Sequence, residues 1–232
     1  MRLFKIDALR GITLISMIAY HTMWDLVYLY GIRISWYDKI PGAVWQQSIC
    51  WTFILLSGFS WSLGHHHLKR GLTVFISGAL VTLATFLFMP DEVVLFGILT
   101  FIGTAMLLVI PIDRVLKNAG SPASYFLIPV SFVLFLVTKN IYYSSFPGGN
   151  YLTAFLGFPF PGFFSTDYFP VIPWFFLYLT GYFISRALPD NARNILIKSI
   201  CPPLEFIGRH TLIIYMLHQP VIYGVLQLIY RR

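Results

Sequence analysis

Seven apolar stretches of about 20 residues constrain this chain most, because a helix needs that length to cross the hydrocarbon core of a bilayer. They lie near residues 8–30, 44–63, 71–89, 93–112, 123–142, 168–186 and 204–229. Of the 232 residues, 57% are hydrophobic and 11% are charged, whereas soluble proteins carry about 25% charged residues. We therefore predict an all-α integral membrane protein, a bundle of about seven transmembrane helices forming a single domain over 1–232. The breaks carry turn residues at Pro41-Gly42, Gly64, Pro90-Asp91 and Gly120-Ser121-Pro122.

The lysines and arginines predict an orientation. With the N-terminus in the cytoplasm, the inner segments hold ten: Arg2, Lys5, Arg10, Lys69, Arg70, Arg114, Lys117, Arg186, Arg193 and Lys198. The outer segments hold five: Arg33, Lys39, Lys139, Arg231 and Arg232. Positive residues accumulate on the cytoplasmic side, so we predict a cytoplasmic N-terminus and an extracytoplasmic C-terminus. The net charge of +7 then belongs to the membrane edges, and no nucleic-acid partner is predicted.

The first apolar stretch carries a stripe of polar residues. At 100° per residue Arg10 and His21 differ by about 20° around a helix, and Asp7, Asp25 and Tyr28 fall near the same line. Ionisable groups at this depth must face a partner or a cavity. Either they form a buried network that fixes packing, or they do chemistry. Asp25 lies four residues after His21, so its carboxylate could orient the imidazole as a general base.

The last apolar stretch carries a second polar set. Pro202-Pro203 predicts a helix start, and Arg209 follows about one turn inside. Exposed N–H groups with an arginine favour a phosphate, although Arg209 could instead pair with Glu205. Tyr215, His218 and Gln219 lie further along. His218 reaches about the depth of His21, so a shared central cavity is expected.

The remaining polar positions are less specific. Asp167 opens the sixth stretch and could bind an acceptor or cap the helix. Lys69 and Arg70 follow His65-His66-His67, where contact with phosphates is favoured over a metal, and we expect no metal site. Residues 143–167, a long non-helical stretch, could form an outer lid or rest on the lipid headgroups. Phosphate-loop, dinucleotide, zinc-protease and serine-hydrolase motifs do not occur in the sequence.

Several motifs together resemble a family of membrane acetyltransferases. Ile6-Asp-Ala-Leu-Arg-Gly-Ile12, with His21 eleven positions after Arg10, is similar to the arginine–histidine opening of the acyltransferase-three O-acetylases. Closer still is the bacterial branch of the heparan-alpha-glucosaminide N-acetyltransferase catalytic-domain family. The similar blocks are Phe53-Ile-Leu-Leu-Ser-Gly58, Leu95-Phe-Gly-Ile-Leu-Thr-Phe-Ile-Gly103, Asp167-Tyr-Phe-Pro-Val-Ile-Pro-Trp174 and Ile207-Gly-Arg-His-Thr-Leu-Ile-Ile-Tyr-Met-Leu-His-Gln-Pro220.

The resemblance implies a multi-pass bacterial inner-membrane enzyme, an acyltransferase-like domain over the whole chain. It would move an acetyl group from cytosolic acetyl-CoA to an amine or hydroxyl, such as that of a sugar or glycan, on the extracytoplasmic side. In the heparan branch the catalytic histidine lies in the loop after the first span. Residues 31–44 hold no histidine here, so His21 is expected to take that role. The chain is shorter than relatives of ten or eleven spans, and whether it forms a homo-oligomer stays open.

The roles expected on this basis fall into three groups. The catalytic residues are His21, Asp25, His218, Tyr215 and Gln219, with the last three near the developing oxyanion. The acetyl-CoA residues are Arg10, Arg209, Lys69 and Arg70, and the acceptor residues are Asp167 and Trp174. His21 would either deprotonate the acceptor or briefly carry the acetyl group. The alternative is a small transporter whose histidines and aspartates relay protons, and the lack of an internal repeat argues against it.

Thiol labelling tests the orientation. The segment before Cys201 contains Arg193 and Lys198 and should be cytoplasmic. In a Cys50→Ser variant, Cys201 should react with a membrane-impermeant maleimide only after the membrane is opened. A variant that also lacks Cys201 is the blank, and labelling of Cys201 in intact cells would reverse the predicted orientation.

Overall fold

The computed structural model describes residues 2–117 and 121–230, and its regular elements in those residues are all helical, with no strand. Its long helices are α1 (Phe4–Trp24), α2 (Ile40–Trp61), α3 (His67–Phe88), α4 (Ile98–Leu116) and α5 (Ser121–Thr138). They are followed by α6 (Tyr151–Leu156), α7 (Val171–Ala187), α8 (Asp190–Leu196), α9 (Pro202–Arg209) and α10 (Thr211–Tyr230). Short 3₁₀ turns lie at Pro90–Glu92 and Ile141–Tyr143. The predicted all-α class is confirmed.

Five segments are long and apolar enough to cross a membrane: Phe4–Leu29, His67–Phe88, Ile98–Leu116, Ala123–Tyr143 and Thr211–Tyr230. A sixth is obtained if α7 and α8, which are bent by 108° at their junction, count as one span. The remaining long helix, α2, contains Gln46 and Gln47, which lower its hydropathy. The predicted count of about seven, the single domain and the sides of the two termini stay predictions. The turn at Gly120 and the terminal Arg231 and Arg232 lie outside the described residues.

The helices group into two compact units, which divide within α2. The first unit comprises residues up to Phe53 and from Pro189 onward, and so contains α1, α8, α9 and α10. The second comprises Ile54–Leu188 and contains α3 to α7.

Two glycines let α1 and α9 meet backbone to backbone in the first unit. A Cβ on Gly11 would lie 2.1 Å from the Leu204 carbonyl oxygen, and one on Gly208 would lie 1.8 Å from that of Asp7. Both distances are far below van der Waals contact, so no larger residue fits at either position without a shift of the backbone. This crossing fixes the start of the chain against its last quarter.

The last predicted span, 204–229, is not one helix but two. Helix α9 ends at Arg209, and His210 leaves helical geometry with φ −101° and ψ 22°. Side chains at the break bond the freed carbonyls: His210 Nδ1 lies 2.8 Å from Phe206 O, and Thr211 Oγ1 donates to Gly208 O at 2.7 Å. Because the carbonyls have these partners, the break costs few hydrogen bonds.

The first span also differs from a regular helix. Asp25–Leu29 forms a π-turn after α1, with the Tyr30 N–H bonded to the Asp25 carbonyl at 3.1 Å. The wider turn changes the 100° spacing on which the polar stripe was predicted. Tyr28, expected to face inward, is therefore exposed, and its hydroxyl donates to Asp38 at 2.6 Å.

Hydrogen bonds tie the second unit together. The Trp61 indole donates to the Met106 carbonyl at 2.9 Å, and the Ser131 and Thr180 hydroxyls are 2.9 Å apart. Arg186 forms an ion pair with Asp113 at 3.0 Å. These contacts join α2 to α4, α5 to α7 and α4 to α7 within the second unit.

The prediction that residues 143–167 are non-helical is wrong in part, because the segment contains α6. Asn150 caps this helix through the N–H groups of Leu152 and Thr153. Further along, the Thr166 N–H bonds the Val93 carbonyl at 3.1 Å and Ser165 Oγ accepts from the Leu95 N–H at 2.9 Å. The segment is therefore held against residues 93–95, and its roles as lid or interfacial loop stay predictions.

The glycine crossing predicts a sharp position dependence of stability. Gly208→Ala should lower the free energy of unfolding by about 1–3 kcal/mol, because the new methyl group overlaps the Asp7 carbonyl. Gly224→Ala is the matched control, since a Cβ there meets nothing within 4 Å and alanine favours a helix. Melting in detergent measures both, and equal melting temperatures would contradict the close approach.

Candidate active site

The first unit brings two histidines from opposite ends of the chain together. His21 in α1 and His218 in α10 have ring centroids 4.8 Å apart at an interplanar angle of 62°. Both lie within apolar helices that are long enough to span a membrane. The first and last spans thus place their histidines side by side, whereas the shared central cavity stays a prediction.

A hydrogen bond to the backbone identifies the tautomer of His218. Its Nδ1 is hydrogen-bonded to the Tyr215 carbonyl oxygen, which can only accept, so Nδ1 carries the proton. In the neutral ring Nε2 then holds the lone pair, and it is buried with no hydrogen-bond partner among the described residues. From the sequence we expected His218 to donate to the developing oxyanion. A nitrogen with a free lone pair is instead suited to act as a general base or a nucleophile.

Tyr215 completes the surroundings of His218. Its ring centroid lies 5.1 Å from that of His218, at 52°. The backbone carbonyl and the ring of Tyr215 therefore both contact the His218 imidazole.

Asp25 is bonded to α10 rather than to His21. It is fully buried, and its Oδ1 accepts from the Gln219 amide at 2.6 Å. Its Oδ2 has no partner among the described residues. The expected orientation of His21 by Asp25 is therefore not the contact observed. The π-turn begins at Asp25, and α10 supplies a donor.

The side chain of Gln219 is held by the same contact. Its amide nitrogen serves Asp25, and its Oε1 is buried without a partner in the part of the chain described. The sequence marked Gln219 as a neighbour of His218 but gave no sign of this contact, because nothing in one sequence pairs residues 194 positions apart. Nor does any motif predict the π-turn.

Near the start of α1, Arg10 is held by a carboxylate. It donates to Asp7 at 2.9 Å, and Arg2 donates to the other Asp7 oxygen at 2.9 Å. Asp7 is buried, so the two guanidiniums compensate its charge. Arg10 therefore helps to hold the helix start in addition to any contact with a cosubstrate.

The start of α9 differs from the predicted phosphate site. Pro202 and Pro203 have no N–H groups to offer, and the protein's own Glu205 bonds the donors before them. Its Oε1 accepts from Ser199 Oγ at 2.7 Å, Ile200 N at 3.0 Å and Cys201 N at 3.2 Å. Burial alone would raise the pKa of Glu205, but these hydrogen bonds outweigh it and the pKa is lowered.

Arg209 is exposed and does not pair with the Glu205 carboxylate. Its Nε donates to the Glu205 backbone carbonyl at 3.2 Å. The alternative of a Glu205–Arg209 side-chain ion pair is thus not the observed contact, and its guanidinium faces outward.

The other two residues expected at acetyl-CoA belong to the second unit. Lys69 is exposed, whereas Arg70 lies over Gly64 with its Nη1 buried and unpartnered within the described chain. The ring of His67 stacks on Trp61 with centroids 3.8 Å apart, a contact that the sequence did not indicate. In the described residues no group of three or more histidines, cysteines or acids could hold a metal.

The two residues expected at the acceptor also lie in the second unit. Asp167 caps α4 rather than the helix that follows it, since its Oδ2 accepts from the Ile98 N–H at 3.2 Å. Burial raises the pKa of Asp167 to about 6, and the Ile98 hydrogen bond opposes this. Trp174 is buried among Phe169, Phe135 and Tyr142, with its indole N–H unpartnered in the described residues.

Two adjacent imidazoles, one of them hydrogen-bonded to a carbonyl, could transfer a proton or an acyl group. The model of one family matches residues 2–220, nearly the whole chain. The protein belongs to the family of the heparan-alpha-glucosaminide N-acetyltransferase catalytic domain, and is a membrane protein of a transferase family. No curated protein and no solved structure matches the chain.

Asp167 should make stability depend on pH. Because its folded pKa of about 6 exceeds the usual value near 3.8, the folded state holds the proton more tightly. The stability that protonated Asp167 contributes to the folded protein is fully present below the unfolded pKa and is lost as the pH rises through about 6. Asp167→Asn should therefore flatten the melting temperature across that window relative to wild type.

The control for this measurement is Asp38→Asn, which replaces an exposed aspartate. It should leave the pH dependence of melting unchanged between those values. If Asp167→Asn and Asp38→Asn give the same profile, Asp167 has no raised pKa.

Proposed function

We propose that this protein transfers an acetyl group from cytosolic acetyl-CoA to an amine or hydroxyl acceptor, such as a sugar, on the extracytoplasmic side of the bacterial inner membrane. The observation that carries the proposal is the histidine pair, in which His218 Nε2 is buried and holds the lone pair of the neutral ring, while the ring centroid lies 4.8 Å from that of His21. Family membership supplies the acetyl transfer, and the pair supplies a centre for it.

The proton and acyl movements balance in either of two routes. In direct transfer, His218 Nε2 takes the acceptor proton as the acceptor nitrogen or oxygen attacks the thioester carbon. The carbon–sulfur bond breaks, and the departing thiolate takes the proton back from the imidazolium. In the second route Nε2 attacks the thioester carbon, the carbon–sulfur bond breaks and the thiolate leaves, so that the histidine carries the acetyl group as a cation. The acceptor then displaces the acetyl group, its proton passes to the thiolate, and His218 returns to its neutral form.

His21 has a natural place in both routes. Its ring contacts that of His218, so it can pass the proton between the reacting atoms and His218, or bind one of the two substrates. Two imidazoles that take turns as base and acid would allow acetylation of one substrate and protonation of the other within a site that excludes bulk water.

The binding roles complete the proposal. Arg10 in the first unit, with its guanidinium near the helix start, and the exposed Arg209 and Lys69 are candidates for the phosphates of CoA. Arg70 is a fourth candidate, since its buried Nη1 lacks a partner within the described residues. Asp167 and Trp174 are proposed to lie at the acceptor end.

The decisive test is His218→Ala. Loss of the base should lower kcat for acetyl transfer by about 10²–10⁴-fold, while CoA still raises the melting temperature of the variant as it does for wild type. Adenine alone should raise the melting temperature of neither wild type nor variant. This comparison separates cosubstrate binding from a nonspecific response.

His210→Ala is the matched control. His210 also has its Nδ1 against a backbone carbonyl one turn earlier, at 2.8 Å from Phe206 O, but it is exposed. The control should keep wild-type turnover. A His218→Ala protein that folds, binds CoA and turns over normally would remove His218 from the chemistry.

A further inference from the structure

The pairing of Asp25 is unusual for an ionised carboxylate. Asp25 is fully buried, and its single hydrogen-bond donor among the described residues is the neutral amide of Gln219. It forms no ion pair in the described chain, unlike Asp7 and Asp113, which each contact an arginine. An isolated buried carboxylate is costly in an apolar surrounding, and one amide donor compensates only part of that cost.

The unpartnered atoms show what is missing. Among the described residues neither Asp25 Oδ2 nor Gln219 Oε1 has a donor, although both atoms are buried. They belong to the same two side chains that already share one hydrogen bond. Two acceptors cannot bond each other, but a proton on Oδ2 turns the carboxyl into a donor. A carboxylic acid and an amide are complementary at two points, one N–H to O and one O–H to O.

The titratable groups around this pair do not replace the proton. On α1, His21 lies one turn before Asp25, and on α10, His218 precedes Gln219, where its Nδ1 proton is used by the Tyr215 carbonyl. Tyr30 follows the π-turn with a buried hydroxyl that has no partner in the described residues. None of the three forms an ion pair with Asp25 there.

We propose that Asp25 is a neutral carboxylic acid that donates its proton to Gln219 Oε1, and that this two-point pair positions His218. Gln219 follows His218 on α10, so a bidentate contact to the π-turn fixes the rotation of α10 and aims the His218 ring at His21. Asp25 and Gln219 are then positioning residues that act through His218. Their consequence for catalysis rests on the proposed function, whereas the protonation of Asp25 does not.

Infrared spectroscopy tests the proposal without any substrate. A protonated carboxyl has a C=O stretching band well separated from that of a carboxylate. The spectrum is taken at a pH well above the pKa of Asp167, which is about 6, so that Asp167 is ionised. Wild type should show a protonated band, Asp25→Asn should lose it, and Gln219→Leu should shift it because one hydrogen bond to the carboxyl is removed.

Asp38→Asn, which changes an exposed aspartate, is the control and should leave the band in place. A wild-type spectrum without the band overturns the proposal, as does a band that survives Asp25→Asn. If Asp25→Asn does not fold, Gln219→Leu decides, since an unshifted band would show that Gln219 does not bond the acid. Because no turnover is measured, an inactive protein with the band would reject the proposed function and leave the acid–amide pair standing.

Discussion

Buried polar groups have only the protein to bond to in an apolar surrounding, and this constraint governs the first unit. Asp7 is compensated by Arg2 and Arg10, Asp25 by Gln219, and Glu205 by three donors around the start of α9. The Asp25–Gln219 contact joins α1 to α10, whereas the contacts of Asp7 and Glu205 are local to the starts of α1 and α9. The Asp25–Gln219 contact and the glycine crossing of α1 with α9 together select one arrangement of the three helices, and the histidine pair follows from it.

Much of the fold could be predicted because apolar stretches record it directly. The long helices coincide with predicted spans, and the two histidines lie together because their depths along α1 and α10 are set by a constant rise per residue. Prediction failed where geometry departs from the regular helix. The π-turn at Asp25 moved Tyr28 outward, and the break at His210 divided the last span, since both depend on partners supplied by distant residues.

The residue types of the candidate site could be predicted from the sequence, but their hydrogen-bond partners could not. His21, His218, Asp25 and Gln219 could each be singled out as polar groups in apolar helices. That Asp25 bonds Gln219, and that the His218 proton goes to the Tyr215 carbonyl, required the packing of α1 on α10. The roles assigned to the cationic and acceptor residues remain proposals for the same reason, since they depend on ligands rather than on helices.

The glycine crossing and the Asp25 contact together fix the number of residues in α1 between Gly11 and Asp25. Gly11 is fixed against Leu204, and Asp25 is fixed against Gln219, and these two residues of α1 and its π-turn are 25 − 11 = 14 positions apart. Inserting or deleting one residue in that interval would rotate one contact by about 100° relative to the other and shift it by about 1.5 Å. Homologous chains should therefore vary in the identity of the intervening side chains but keep their number, and length changes should collect in the segment after the π-turn.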